Sequence, residues 1–210
     1  MKTSAKFWDG IAEKYARNPI SDMDAYEYTL RRTRSYLTLT DRVLELGCGT
    51  ASTALRLADA VADYLASDIS DGMLAQGELR LKEAEVGNIT LAQATAATAP
   101  EGPFDVVMGF NLFHLIDPAE EPLAQVHKRL KSGGLFISKT PCIGQSMKSF
   151  KFRMIKFALP LLQLIGKAPF VRFLSVADWE REVTEAGFEI IESGNFPVDP
   201  ASRYLVARRL

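Results

Sequence analysis

The chain has little that could cross-link it or hold a metal. Its 210 residues include two cysteines, Cys48 and Cys142, and two histidines, His114 and His127. That inventory makes no disulfide framework and no zinc-ligand spacing, so no metal site is expected. Excess charge of one sign is also lacking: 25 Lys and Arg stand against 26 Asp and Glu. Near-neutrality argues against a dedicated nucleic-acid binder, and no nucleic-acid partner is expected. No basic-then-apolar start marks a secretory leader, so a cytoplasmic location is expected. The longest apolar stretch, 157–165, is interrupted by Pro160 and Gln163 and falls far short of the ~20 residues that span a bilayer. Internal repeats and low-complexity tracts are missing too. What remains is an ordinary globular composition, 47% hydrophobic, suited to a single domain over 1–210.

Periodicity divides the chain into alternating elements. Phe7, Ile11 and Tyr15 fall at helical spacing and Asn18-Pro19 stops that helix; a second is expected over 24–37. From there strands over 42–46, 64–68, 89–92, 104–108 and 135–138 alternate with helices over 53–59, 71–85 and 120–130. Ser70 reads as a helix cap, and the glycines of Lys131-Ser132-Gly133-Gly134 as the end of the third of these helices. Nearly all-apolar strands separated by helices imply an α/β fold, a Rossmann-like, mostly parallel seven-stranded sheet with helices on both faces. A last helix over 178–186 precedes strands over 188–192 and 204–208. With no helix between them, these two are expected to be an antiparallel C-terminal pair.

The densest signal is "VLELGCGTA" at 43–51. A strand ends in Glu45 and then in Gly47-Cys48-Gly49, which exposes bare backbone to a ligand beside a helix start. Asp68 ends the next strand, 19 residues after Gly49, where a carboxylate can accept from ribose hydroxyls. A nucleoside-like ligand is the specific reading. A nicotinamide dinucleotide fingerprint wants a small residue where Ser52 stands, and its pyrophosphate would be repelled by Glu45. An NAD(P)-dependent oxidoreductase is therefore the alternative, and a cationic amino-acid nucleoside the preferred ligand.

These motifs resemble those of class I S-adenosylmethionine-dependent methyltransferases, whose first motif is an acid-x-Gly-x-Gly-x-Gly run; Ala51 stands at the third glycine. "FDVVMGFNLFHLID" and "LKSGGLFI" match later motifs in order. The opening "FWDGIAEKYA" is similar to the small-molecule, ubiquinone-biosynthesis-like (type 11) subgroup. The resemblance implies S-adenosyl-L-methionine as cofactor. It places Glu45, Gly47, Cys48 and Gly49 at the amino-acid portion, Asp68 at the ribose, and Ile69, Met73 and Thr95 at the adenine. Thr95 stands where relatives usually carry Asp, which leaves a non-catalytic cofactor-binding subunit as a further alternative. Phe110, Phe113 and Tyr15 are the aromatics expected near the sulfonium, and His114 is the candidate general base, with Tyr15 a second catalytic candidate.

Two segments flank this scheme. Residues 1–37 are expected to form a helical cap. Residues 142–176 form a basic, apolar insertion expected to act as a lid, within a stretch from Pro122 to Ala177 that holds ten Lys and Arg and no Asp or Glu. Its apolar content points to a small hydrophobic acceptor: a lipid, quinone or aromatic metabolite. Its Lys and Arg suit peripheral contact with the anionic inner face of a membrane through 147–172.

Overall fold

The structure, a computed structural model, describes residues 2–144, 159, 161–163 and 166–210. Two helices lead the chain, α1 (Lys2–Arg17) and α2 (Met23–Arg34), the second capped by the Asp22 side chain, which accepts from the Ala25 N–H. Strand β1 (Arg42–Leu46) opens the alternating region. It is followed by α3 (Ser52–Leu57), β2 (Asp63–Asp68), α4 (Asp71–Ala84), β3 (Ile89–Gln93), β4 (Phe104–Phe110), α5 (Pro122–Arg129) and β5 (Leu130–Pro141). The chain ends with α6 (Val176–Glu185), β6 (Phe188–Asn195) and β7 (Ser202–Arg209). Much of the expected lid, residues 145–158 in particular, lies outside the described residues.

All seven strands join one sheet in the order β3-β2-β1-β4-β5-β7-β6. The first five are parallel and β7 runs antiparallel between β5 and β6. The expected fold class is therefore found. Chain order reverses at β1 and β4, so the crevice beyond their carboxyl ends is the topological place for a ligand.

Side-chain alternation assigns the core to two faces. Leu44, Leu46, Val107 and Phe136 pack with Leu123, Val126 and Trp179 on the α5–α6 side. Val43, Tyr64, Ala66 and Met108 pack with Leu30, Ala54 and Leu57 on the α2–α3 side. Because both faces are covered, the central strands are mostly apolar, with a few buried polar residues such as Glu45, Ser67 and Ser138 among them.

Four expectations need correction. The glycine pair does not end α5; the helix stops at Arg129, where Leu130 turns extended and pairs with Phe104. Lys131 to Gly134 then loop out within β5, since the next paired residues are Val106 and Leu135. Gly133 takes a φ of +73°, and a Cβ on Gly134 would lie 2.9 Å from the Lys131 carbonyl oxygen, so the pair serves a bulge inside a strand. Helix α2 ends at Arg34, short of 37, and the predicted helix over 53–59 finishes as a 3-10 turn at Ala58–Ala60. Phe113 belongs to the core: its fully buried ring sits edge-on to Phe136 and tilted against Trp179.

Candidate cofactor and acceptor site

The loop after β1 has the backbone geometry its glycines predict. Gly47 and Gly49 take φ values of +66° and +54°, in the left-handed region that side chains disfavour. At Gly47 the space is also filled, since a Cβ would lie 2.6 Å from Leu112 Cδ1. At Gly49 a Cβ would meet nothing within 4 Å, which leaves bare backbone on an open wall. Ala51 holds the same left-handed conformation, φ +58°. Its methyl is accommodated by Gly77 of α4, whose absent Cβ would stand 3.3 Å away.

Asp68 is the acid that meets this loop. Its Oδ2 accepts from the Gly49 N–H and its Oδ1 from the Ser70 N–H, each at 2.9 Å. Burial pushes its carboxyl above the usual carboxylate range, and these two amides with that of Ile69 oppose the shift. Ser70 also caps α4 as expected, its hydroxyl accepting from the Met73 N–H at 3.1 Å.

Glu45 lies differently. It shares a strand face with Val43, on the α2–α3 side, and is 2% exposed. The Tyr64 hydroxyl donates to its Oε2 at 2.8 Å. Burial raises its carboxyl from an ordinary 4.5 to about 7, against the Tyr64 hydrogen bond and helped by the Asp68 charge. Glu45 thus precedes the loop on a buried strand face, with Tyr64 as its hydrogen-bond partner.

A cavity of about 440 Å³ opens over the carboxyl ends of β1, β2 and β4. Tyr15, Gly47, Gly49, Asp68, Ile69, Met73, Thr95, Phe110 and His114 all line it. Glu45 and Cys48 do not; the Cys48 thiol is buried, and burial raises it well above its ordinary value. The side chain of His114 is enclosed enough that its Nδ1 is buried with no partner among the described residues, and burial lowers the imidazole to about 4. Tyr15 is half exposed; partial burial and the Asp68 charge raise its phenol, while Arg80 lowers it. Leu112, Leu115, Ile116, Pro141 and Phe170 add apolar lining, with Asn111, Asp117 and Glu120 beside them on the same cavity.

Several residues that hold the cavity were not singled out in the sequence. Asp9 of α1 accepts from the Ser70 hydroxyl at 2.6 Å and from the Gly72 N–H at 3.0 Å, fastening α1 to the start of α4. Arg80 of α4 donates to the Ala16 carbonyl of α1 and to the Thr50 hydroxyl, both at 2.7 Å, and to the Ser52 hydroxyl. Together they make α1, through Ser4, Trp8 and Tyr15, a wall of the cavity. Arg129, 3% exposed, holds the loop after β3 through the carbonyls of Ala97 and Ala99 at 2.9 and 2.8 Å. No local pattern marks these residues, because each acts on backbone far away in sequence. Among the described residues no group of His, Cys, Asp and Glu is placed to hold a metal.

Fold and cavity together define a class: a doubly wound sheet with a nucleoside-sized crevice, a glycine loop on one wall and an acid at the neighbouring strand end. Comparison with known proteins gives the family. A methyltransferase-domain model matches residues 43–134. The chain is 31% identical over 165 residues to a demethylmenaquinone methyltransferase of Mycolicibacterium gilvum, covering 75% of this chain and 69% of that one. It is 26% identical over 211 residues to a ubiquinone biosynthesis O-methyltransferase of Acinetobacter baumannii, covering 97% and 86%. Among solved structures, magnesium protoporphyrin IX methyltransferase from Synechocystis with bound SAH superposes with a TM-score of 0.73 at 18% identity, covering 99% and 96%. The chain belongs to the S-adenosylmethionine-dependent methyltransferases.

The residues present fit that cofactor. Gly49 offers backbone with no side chain over it, Gly47 lines the same wall, Asp68 brings a buried carboxylate, and Ile69, Met73, Ala94 and Ala96 add apolar lining, all on one cavity.

Proposed function

We propose that this methyltransferase acts on a small hydrophobic acceptor: a lipid, quinone or aromatic metabolite. The observation that carries the reading is the apolar share of the cavity lining: Trp8, Phe110, Leu112, Leu115, Ile116 and Phe170 line it together with His114, whose Nδ1 is buried with no hydrogen-bond partner among the described residues. The names of the two quinone-related relatives support it.

In this reading Gly47 and Gly49 would hold the amino-acid portion of S-adenosylmethionine through backbone, and Asp68 the ribose hydroxyls. Ile69, Met73 and Thr95 would flank the adenine. When bound, the cofactor supplies an electrophilic methyl group on a sulfonium. The chain's own contribution is to align the acceptor and exclude water, and α1 with the apolar lining of the cavity does both. The faces of Phe110 and Tyr15 suit a cationic centre. His114 is neutral at physiological pH because of its burial, so it accepts a hydrogen bond, and then the proton, from an acceptor hydroxyl. Its low basicity makes orientation the larger part of that role.

Part of the insertion would rest on an anionic membrane surface. Leu161, Leu162 and Phe170 are exposed, while Lys148, Lys151, Arg153 and Lys156 lie outside the described residues. Among the described residues no helix is long and apolar enough to cross a membrane.

Labelled methyl donor offered with reduced quinones, phenols and polar metabolites tests the acceptor class. Transfer to an apolar hydroxyl is expected; turnover restricted to polar metabolites would overturn it. Sedimentation with phosphatidylglycerol vesicles at low salt is expected to carry the protein down, and no binding would remove the membrane contact.

A further inference from the structure

Resting on the acceptor reading above, we infer that Asn111 is a specificity-determining residue: its carboxamide holds a second oxygen of the acceptor while His114 accepts from the hydroxyl that is methylated. The acceptor is thereby narrowed to molecules with two oxygen functions on one apolar body.

The backbone at Asn111 puts its side chain on the cavity. Strand β4 ends at Phe110, and in a continuing strand the next residue would turn to the opposite face of the sheet. Asn111 instead takes a φ of +55°, while its N–H donates to the Lys139 carbonyl at 2.7 Å. Alternation is broken there, and Phe110, Asn111 and Leu112 line the cavity in succession. The same turn seats Leu112 over Gly47, where a Cβ would lie 2.6 Å from Leu112 Cδ1. The turn needs a left-handed residue, and glycine would supply one at the lowest conformational cost. Ala51, Glu85 and Glu121 share that conformation, and none of them lines the cavity. Asn111 thus brings an exposed polar side chain to the cavity at a position where the backbone needs none.

Its chemistry suits a neutral oxygen. A carboxamide both donates and accepts, and it carries no charge, so an apolar ring can approach it without the desolvation cost of a carboxylate. Of the acids on the same cavity, Asp68 holds the Gly49 and Ser70 amides and Asp117 accepts from the Ala119 N–H at 2.9 Å. His114 Nδ1, buried with no partner among the described residues, takes a single donor. A hydroxyl on His114 and a second oxygen on Asn111 fix an otherwise apolar body in one orientation, which van der Waals contact alone does poorly.

Labelled methyl transfer to an alkyl hydroquinone and to the matching alkylphenol tests this, in the wild type and in Asn111→Gly. Glycine keeps the left-handed backbone and removes only the carboxamide. The wild type is expected to favour the hydroquinone about tenfold in kcat/KM, the scale of one hydrogen bond, and Asn111→Gly to bring the ratio within about threefold through the hydroquinone KM. Affinity for S-adenosylhomocysteine, by calorimetry, is expected to be unchanged. A wild-type ratio below about threefold, or a preference that Asn111→Gly preserves, would overturn the inference and leave the acceptor class standing; the second result would move the oxygen to Asp117 or Glu120. Cofactor binding weakened about tenfold in the variant would assign Asn111 to the cofactor and overturn it as well. Methylation of neither compound would overturn the acceptor reading and the inference with it. A thermal melt establishes that the variant folds; if it does not, Asn111→Ala gives the same comparison, since Ala51 shows alanine held at positive φ in this chain.

Discussion

Replacing Glu45 by Gln isolates the electrostatic cost of the glycine loop. The Glu45 carboxyl is buried, receives the Tyr64 hydroxyl at 2.8 Å and is raised from 4.5 to about 7. In the unfolded chain it titrates near 4.5; in the folded protein it holds its proton until about pH 7. The folded state therefore binds more protons across that window, and stability from this group is complete below pH 4.5 and lost as pH rises through 7. At ~1.4 kcal/mol per pH unit the loss amounts to about 3 kcal/mol by pH 8. Gln carries no charge and can still accept from Tyr64. The two proteins should therefore melt alike at pH 4.5 and separate progressively above it. For a chain of this size, Glu45→Gln should melt roughly 6–12 °C higher at pH 8. Calorimetric melting of both at half-unit intervals from pH 4.5 to 8 gives the difference curve. Parallel curves, or a variant less stable at pH 8, would refute the reasoning and make Glu45 an ionised, well-compensated carboxylate.

Removing Asp68, which accepts two backbone N–H groups at the cavity wall, should weaken S-adenosylhomocysteine at least tenfold in Asp68→Ala, since a charged hydrogen bond contributes about 1.5–3 kcal/mol; unchanged affinity by calorimetry would misplace the ribose. Gly47→Ala combines a φ of +66° with a Cβ 2.6 Å from Leu112 and should cost about 2 kcal/mol or more in urea unfolding, whereas an unshifted midpoint would show the loop yields. Arg80→Ala cuts the link between α1 and the loop after Gly49, so trypsin should cut after Arg17 several times faster; equal rates would mean that Asp9 alone holds the helix. Because His114 is lowered to about 4, kcat should show no inflection from this residue between pH 6 and 8. An inflection near 6.5 that disappears in His114→Gln would contradict its burial.

Local signals were the readable ones. A glycine that needs a left-handed backbone, a serine that caps α4 and a carboxylate that accepts from the amide two residues on each act within a few residues, and all three stand where the sequence put them. Side-chain direction was less legible. Phe113 follows a crevice strand just as Phe110 does, yet the 3-10 turn at Phe113–Leu115 rotates it into the core and leaves His114 at the cavity. Glu45 was placed beside the ligand, and strand alternation puts it on the opposite face from Leu46, which lines the cavity.

By itself the sequence determined the doubly wound sheet, the cofactor class and many of the residues that line the cavity. Hydrophobic period and turn chemistry are written in neighbouring residues, and the sheet topology brings strand ends together. Only the tertiary structure decided what supports that site: Asp9 and Arg80 fastening α1 as a wall, and Arg129 drawing the carbonyls of the loop after β3 onto itself. In each case a single side chain is hydrogen-bonded to backbone distant in sequence: Asp9 to the Gly72 N–H, Arg80 to the Ala16 carbonyl and Arg129 to the Ala99 carbonyl. Backbone carbonyls and amides are the same at every position, so no residue pattern can announce which of them an arginine will reach.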